Sequence, residues 1–140
     1  MRYLLDTQLL AELVHSKQGE WVANWFDVLE EQDIFLSAIT IGEIIKGIER
    51  IENPEQQRNL LRWLREDLLV RFHGRVLPVD MNVISEWGRL SAKYEKIGKK
   101  LNTEDGLIAA TAKVEGLVLL TRSVDDFSDA GIEVSDPRQG

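Results

Sequence analysis

At 140 residues, with 44% hydrophobic and 29% charged residues, the chain has the make-up of one soluble domain over 1–140, large enough to bury a real core. It has no cysteine, which excludes disulfides, zinc ribbons and thiol nucleophiles, and no apolar run near the roughly 20 residues that cross a bilayer. Its net charge of −7 is the wrong sign for a generic nucleic-acid binder. Met1-Arg2-Tyr3-Leu4-Leu5 meets Asp6 too soon for a signal peptide, and with the absence of cysteine this points to the cytoplasm.

Short apolar runs alternate with helical patterns along the chain, which predicts an α/β fold with a parallel sheet between helices. Residues 2–5 read as the first strand, followed by a short helix over 7–15 with Leu9, Leu10, Leu13 and Val14 on one face. A second helix over 18–31 carries Trp21, Val22, Trp25, Phe26 and Leu29 at helical spacing. Ile34-Phe35-Leu36-Ser37 is the second strand, and Ser37 or Thr40 caps a helix running to about Ile51. Asn53-Pro54-Glu55 opens the next helix, which extends to about Phe72 with Leu60, Leu61, Leu64, Leu68 and Leu69 as its apolar face.

Val76-Leu77-Pro78-Val79 forms a third strand, and Pro78 places it at an edge of the sheet. A long helix over 81–97 ends at Gly98. Asn102 or Thr103 opens another that stops before Gly116. Leu117 to Thr121 is the fourth strand, and Ile132-Glu133-Val134 a weak fifth. Two segments are locally basic, one with Arg58, Arg62, Arg65, Arg71 and Arg75, the other with Lys93, Lys96, Lys99 and Lys100. Solvated helix faces laced with Glu66, Asp67 and Glu95 account for either segment equally well. The four tryptophans read as core and interface packing.

Four acidic stations stand beside apolar runs: Asp6, Glu43, Asp105, and the pair Asp125 and Asp126. Carboxylates are costly to bury among apolar residues unless a charge compensates them, and a divalent cation is the usual compensation. Oxygen donors without thiolates favour Mg²⁺ or Mn²⁺. In open parallel sheets ligands bind outside the carboxyl ends of the strands. Asp6 and Asp125/Asp126 fall there, and all four stations converge if strands one, two and four are neighbours. Each acid also has an ordinary structural reading. Asp105 near a helix N-terminus complements the macrodipole, and Asp125 and Asp126 begin a helical turn. Their joint placement carries the inference toward a metal-dependent phosphodiester-cutting enzyme.

At these residues the chain resembles a PIN domain, and within that group the VapC-type ribonuclease toxins of bacterial toxin–antitoxin pairs. Tyr3-Leu4-Leu5-Asp6-Thr7 is similar to the opening motif, and Leu36-Ser37-Ala38-Ile39-Thr40-Ile41-Gly42-Glu43, with Gly47, to the second. Asp105-Gly106-Leu107-Ile108-Ala109-Ala110-Thr111-Ala112 is the most specific match, and Leu120-Thr121-Arg122 with Asp126-Phe127 resembles the fourth motif. The resemblance implies a PIN-like three-layer α/β/α sandwich with a central, mainly parallel sheet of about five strands. It implies an endoribonuclease whose Mg²⁺ or Mn²⁺ is held by Asp6, Glu43 and Asp105, leaving 5′-phosphate and 3′-hydroxyl ends. It further implies inhibition by a VapB-type antitoxin and a homodimer, with the 18–31 and 54–72 helices as interface material.

Two positions depart from the family pattern. Gln8 stands where asparagine is usual, and Ser123 stands where an acidic or amide residue follows Thr-Arg, so Asp125 is the substitute candidate for the fourth ligand. These departures motivate an alternative, a catalytically weakened PIN domain acting as an antitoxin- or RNA-binding module. Other acid-rich folds fit less well. A receiver-type domain wants a lysine near strand five, and none follows Lys113; a haloacid-dehalogenase-like phosphatase wants an Asp where Gln8 stands. His15 and His73 match no motif.

Overall fold

The structure, a computed structural model, describes residues 1–14 and 29–137. The helix expected over 18–31 therefore falls almost wholly outside the described residues, as does His15. Five strands form one sheet, β1 (Tyr3–Leu5), β2 (Ile34–Ser37), β3 (Val76–Leu77), β4 (Val118–Leu120) and β5 (Val134–Ser135). Their order is β3-β2-β1-β4-β5 and every pairing is parallel. The expected neighbours are thus in place, and β3 lies at an edge as Pro78 indicated. The fifth strand lies later than expected, with Val134 opposite Leu119 and Ser135 opposite Leu120.

The chain moves outward from β1 through β2 to β3, then returns to place β4 on the other side of β1. That reversal makes the boundary between β1 and β4 the switch point, where an open parallel sheet leaves a crevice at its carboxyl edge. Leu4 opposes Leu119 and Leu5 opposes Leu120 across it.

Alternation of side chains along these strands feeds two cores. Leu5, Ile34, Leu36 and Leu120 face one side and pack with Leu9, Leu10, Ile48, Leu64, Leu68 and Phe72. Leu4 and Leu119 face the other and pack with Leu90, Tyr94, Ile108, Ala109 and Phe127. Helices α1 (Thr7–Val14), α2 (Ala38–Glu49) and α3 (Pro54–Trp63) cover the first side. Helices α4 (Met81–Lys96) and α5 (Thr103–Glu115) cover the second. The layers are helix, sheet, helix. Leu4, Leu5, Leu119 and Leu120 have no exposed surface, and burial of each such side chain contributes roughly 1.5–3 kcal/mol.

Local chemistry starts and stops the helices. The side chains of Ser37, Asn53, Asp80 and Asn102 each accept a backbone N–H of the turn they open. Asp80, the acid after the third strand, is occupied as such a cap, accepting Val83 N–H at 3.0 Å. Gly116 ends α5 with φ of +66°, a left-handed conformation that suits glycine. After α3 the chain stays helical but widens into a π turn, Leu64–Leu68, where Leu69 N–H reaches back to Leu64 O. That widening sets Leu64 and Leu68 into the first core.

Candidate active site

Asp6 stands where β1 becomes α1. Its N–H donates to Leu120 O at 3.1 Å, prolonging the sheet, while its carbonyl accepts Leu10 N–H at 3.2 Å, beginning the helix. Its carboxylate caps the helix, Oδ1 accepting Leu9 N–H at 3.1 Å. The other oxygen, Oδ2, accepts the hydroxyl of Thr121, the residue directly after β4. Thr121 is fully buried and its Oγ1 in turn accepts Ser123 N–H at 3.0 Å. Asp6 is only 7% exposed, and burial pushes its carboxyl above the ordinary 3.8, partly opposed by the bonds from Thr121, Leu9 and Gln8.

Glu43 comes from α2, which Ser37 starts by accepting Ile39 N–H at 3.1 Å. Thr7, the first residue of α1, donates its hydroxyl to Glu43 Oε1 at 2.7 Å. The Thr7 and Thr40 hydroxyls lie 3.0 Å apart, and Thr40 is fully buried, so the glutamate is oriented from below.

Asp105 lies in the first turn of α5, its N–H donating to the capping Asn102 Oδ1 at 2.8 Å. Burial, followed by the negative charges of Asp6, Glu43 and Asp126, pushes its carboxyl up to about 6. The next residue explains how closely α5 approaches α4. A Cβ on Gly106 would lie 2.9 Å from Trp87 Cδ1, so only glycine admits the indole against that turn.

These three acids line one open cleft of about 310 Å³ at the switch point, with Thr7, Gln8 and Ser123. Among the described residues, no lysine or arginine lines it. Asp125 and Asp126 are both exposed and neither lines the cleft; the charge of Asp125 falls on Lys99. Asp126, one residue on, is the acid of the pair whose charge reaches Asp105. Both sit on a 3-10 turn, Val124–Phe127, in which successive side chains diverge. The hydroxyls of Thr7 and Thr121 complete the site, and sequence reasoning gave them no role. Their only signal was position, each directly after a motif acid or a strand end.

The donors fit a hard divalent cation by type, being carboxylates, amides and hydroxyls without sulfur or imidazole. Among the described residues no group of three or more acids stands ready to hold one ion. The fit is therefore one of chemistry and charge, with side-chain movement needed to close around an ion.

The chain matches the PIN domain family over residues 3–132. It belongs to that family. This PIN domain is 34% identical to Toxin FitB of Neisseria gonorrhoeae over 134 residues, 96% of each chain. It is 31% identical to VapC ribonuclease Y4jK of Sinorhizobium fredii, again over 96% of each. Against tRNA(fMet)-specific endonuclease VapC of Shigella flexneri the identity is 27%, covering 94% of this PIN domain and 93% of that protein. The crystal structure of FitAcB from Neisseria gonorrhoeae superposes with a TM-score of 0.91 at 34% identity, over 96% of this chain and 97% of that one. The five-stranded parallel sheet between helices is thus the PIN architecture.

Proposed function

We propose that this PIN domain is a metal-dependent endoribonuclease, the toxin of a VapBC-type toxin–antitoxin pair. The observation that carries the proposal is the convergence of Asp6, Glu43 and Asp105 on one cleft that no lysine or arginine among the described residues lines. Burial, and after it the crowding of like charges, raises Asp105 to about 6, and an entering cation offsets both. Relatives named as ribonucleases support the choice of RNA.

Asp6 and Asp105 would hold Mg²⁺ or Mn²⁺, with Glu43 as a third ligand or as the group positioning the attacking water. A bound divalent ion supplies a water of lowered pKa and shields the phosphate's charge. The chain's own part is orientation. Leu9 N–H and Thr121 fix both oxygens of Asp6, and Thr7 fixes Glu43. Water attacks phosphorus, the bond to the 3′-oxygen breaks, and the products are a 5′-phosphate and a 3′-hydroxyl. For the fourth acidic position we favour Asp126 over Asp125, because Asp126 acts on Asp105.

A VapB-type antitoxin is the proposed partner, inserting a basic side chain into the cleft, which no lysine or arginine among the described residues lines. Neighbouring structures of FitAB and of VapBC complexes support this reading, and a homodimer is proposed with it. A second reading, a weakened domain that binds without cutting, is favoured by Gln8 and Ser123, which both line the cleft. Incubating purified protein with RNA and Mg²⁺ or Mn²⁺, beside Asp6→Asn, Asp105→Asn and a chelator control, separates them. Discrete 5′-phosphate ends from wild type alone are expected; equal inertness of all three proteins supports the binding module.

A further inference from the structure

A second groove, about 410 Å³, adjoins the acidic cleft on the far side of the first turn of α5. Asn102 lines this groove while its Oδ1 accepts the N–H of Asp105, which lines the cleft. One helical turn separates the two spaces. Trp87 lines the groove with its Cδ1–Nε1 edge set against Gly106, so the ring is held by the same turn that carries Asp105. Lys99 and Lys100 lie at the groove with the hydroxyl-bearing Thr103. Lys99 is paired with Asp129, whereas Lys100 is exposed and enters no ion pair among the described residues. Glu95, also at the groove, is the one acid lining it among the described residues.

A rigid aromatic ring beside a free cation is what a single-stranded nucleotide needs, a surface for the base and a charge for its phosphate. Resting on the RNA-cleaving reading, we infer that this groove seats the nucleotide next to the scissile phosphate of single-stranded RNA. Its base stacks on Trp87 and its phosphate meets Lys100 and the N-terminal turn of α5 at Thr103. The α5 turn then acts as a divider, presenting Asp105 to one phosphate and Thr103 to the next. Because the ring reads a π-face and not a hydrogen-bond pattern, the groove contributes affinity and register with little base preference.

The test measures KM and kcat for cleavage of a short single-stranded RNA, and anisotropy-based Kd for the same RNA on the Asp6→Asn protein. Lys100→Glu, Trp87→Leu and Trp87→Phe are compared with Lys96→Glu, the same charge change outside the groove. Lys100→Glu and Trp87→Leu should each raise KM and Kd about tenfold, with kcat of Lys100→Glu held within about twofold, while Trp87→Phe keeps most of the binding. Lys100→Glu should also flatten the salt dependence of log Kd by about 0.7. If Lys100→Glu changes KM and Kd no more than Lys96→Glu does, the groove assignment falls even though cleavage stands. If wild type cuts nothing, the cleavage reading falls, and the Kd comparison with uncut RNA still decides for or against the groove.

Discussion

Thr121 donates its hydroxyl to the buried carboxylate of Asp6 across a separation of 115 residues, joining the ends of the two strands that flank the switch point. The bond fixes the orientation of the acid and supplies one of the few donors it has in that environment. Thr121→Val keeps the shape but leaves Asp6 Oδ2 buried and unpaired. It is expected to cost about 1–3 kcal/mol of stability by urea denaturation and to reduce RNA cleavage well beyond the loss of folded protein. Thr121→Ser, which restores the donor, is expected to recover most of both.

Asp105 carries a pH dependence of opposite sign to an ordinary paired carboxylate. Its folded pKa is raised from 3.8 to about 6, so the folded chain binds its proton more tightly than the unfolded chain does. The metal-free fold is thus favoured below 3.8 and loses that advantage as pH rises through about 6. Solvent at this partly exposed group holds the effect to roughly 1–2 kcal/mol. Asp105→Asn is expected to raise the melting temperature of metal-free protein at pH 7.5 and to flatten this part of its pH profile. Mn²⁺ or Mg²⁺ is expected to raise the melting temperature of wild type more at pH 7.5 than at pH 5, and to do little for the variant.

Gly106 sets the distance between α4 and the turn bearing Asp105. A methyl group there would meet Trp87 Cδ1 at 2.9 Å, closer than side-chain packing allows. Gly106→Ala is expected to destabilise by about 1–3 kcal/mol in thermal or urea unfolding, and to lower cleavage by displacing Asp105. A Gly106→Ala, Trp87→Leu double variant, with a more compliant side chain at the contact, should regain part of the stability.

Glu86 clamps the same two helices further along. Its Oε1 lies 3.0 Å from Lys113 Nζ on α5, and its Oε2 is 2.9 Å from Arg89 on its own helix. Burial alone would raise its carboxyl, but the hydrogen bonds and charges of Lys113 and Arg89 outweigh this and hold it below the ordinary 4.5. Its contribution is present above that value and disappears as pH falls through the lowered folded pKa. Because the Lys113 and Arg89 side chains are 48% and 68% exposed, Glu86→Gln is expected to cost under about 1 kcal/mol at pH 7, shrinking toward zero in acid. Parallel urea titrations at two pH values check this.

Much of the framework was legible because it rests on local chemistry. Ser37, Asn53 and Asn102 cap the helices they were expected to open, Gly116 stops α5, and Pro78 marks β3 as an edge. The converging acids were legible for the same reason, since each sits at the carboxyl edge of a strand or in the helix beside it. What needed three dimensions was hidden. The hydroxyls that orient Asp6 and Glu43 come from residues 115 and 36 positions away. The meeting of Gly106 with Trp87 depends on a helix crossing that no spacing encodes. Sequence also left Asp125 and Asp126 undivided, because a 3-10 turn of four residues is too short for an apolar pattern to say which acid turns toward the site. The fifth strand pairs at only two positions, too few for an apolar pattern to fix its place.

The switch-point topology has a bearing on when such a chain becomes dangerous. Asp6 precedes its orienting partner Thr121 by 115 residues, and Thr121 directly follows β4, the strand that joins β1 on the side away from β2. Loop closure over that span comes late and slowly relative to local helix formation. Asp6 therefore gains its orienting bond only once β4 has docked. For an RNA-cutting chain, the cleft is thus complete only when the fold is, and a partly folded chain lacks the oriented acid.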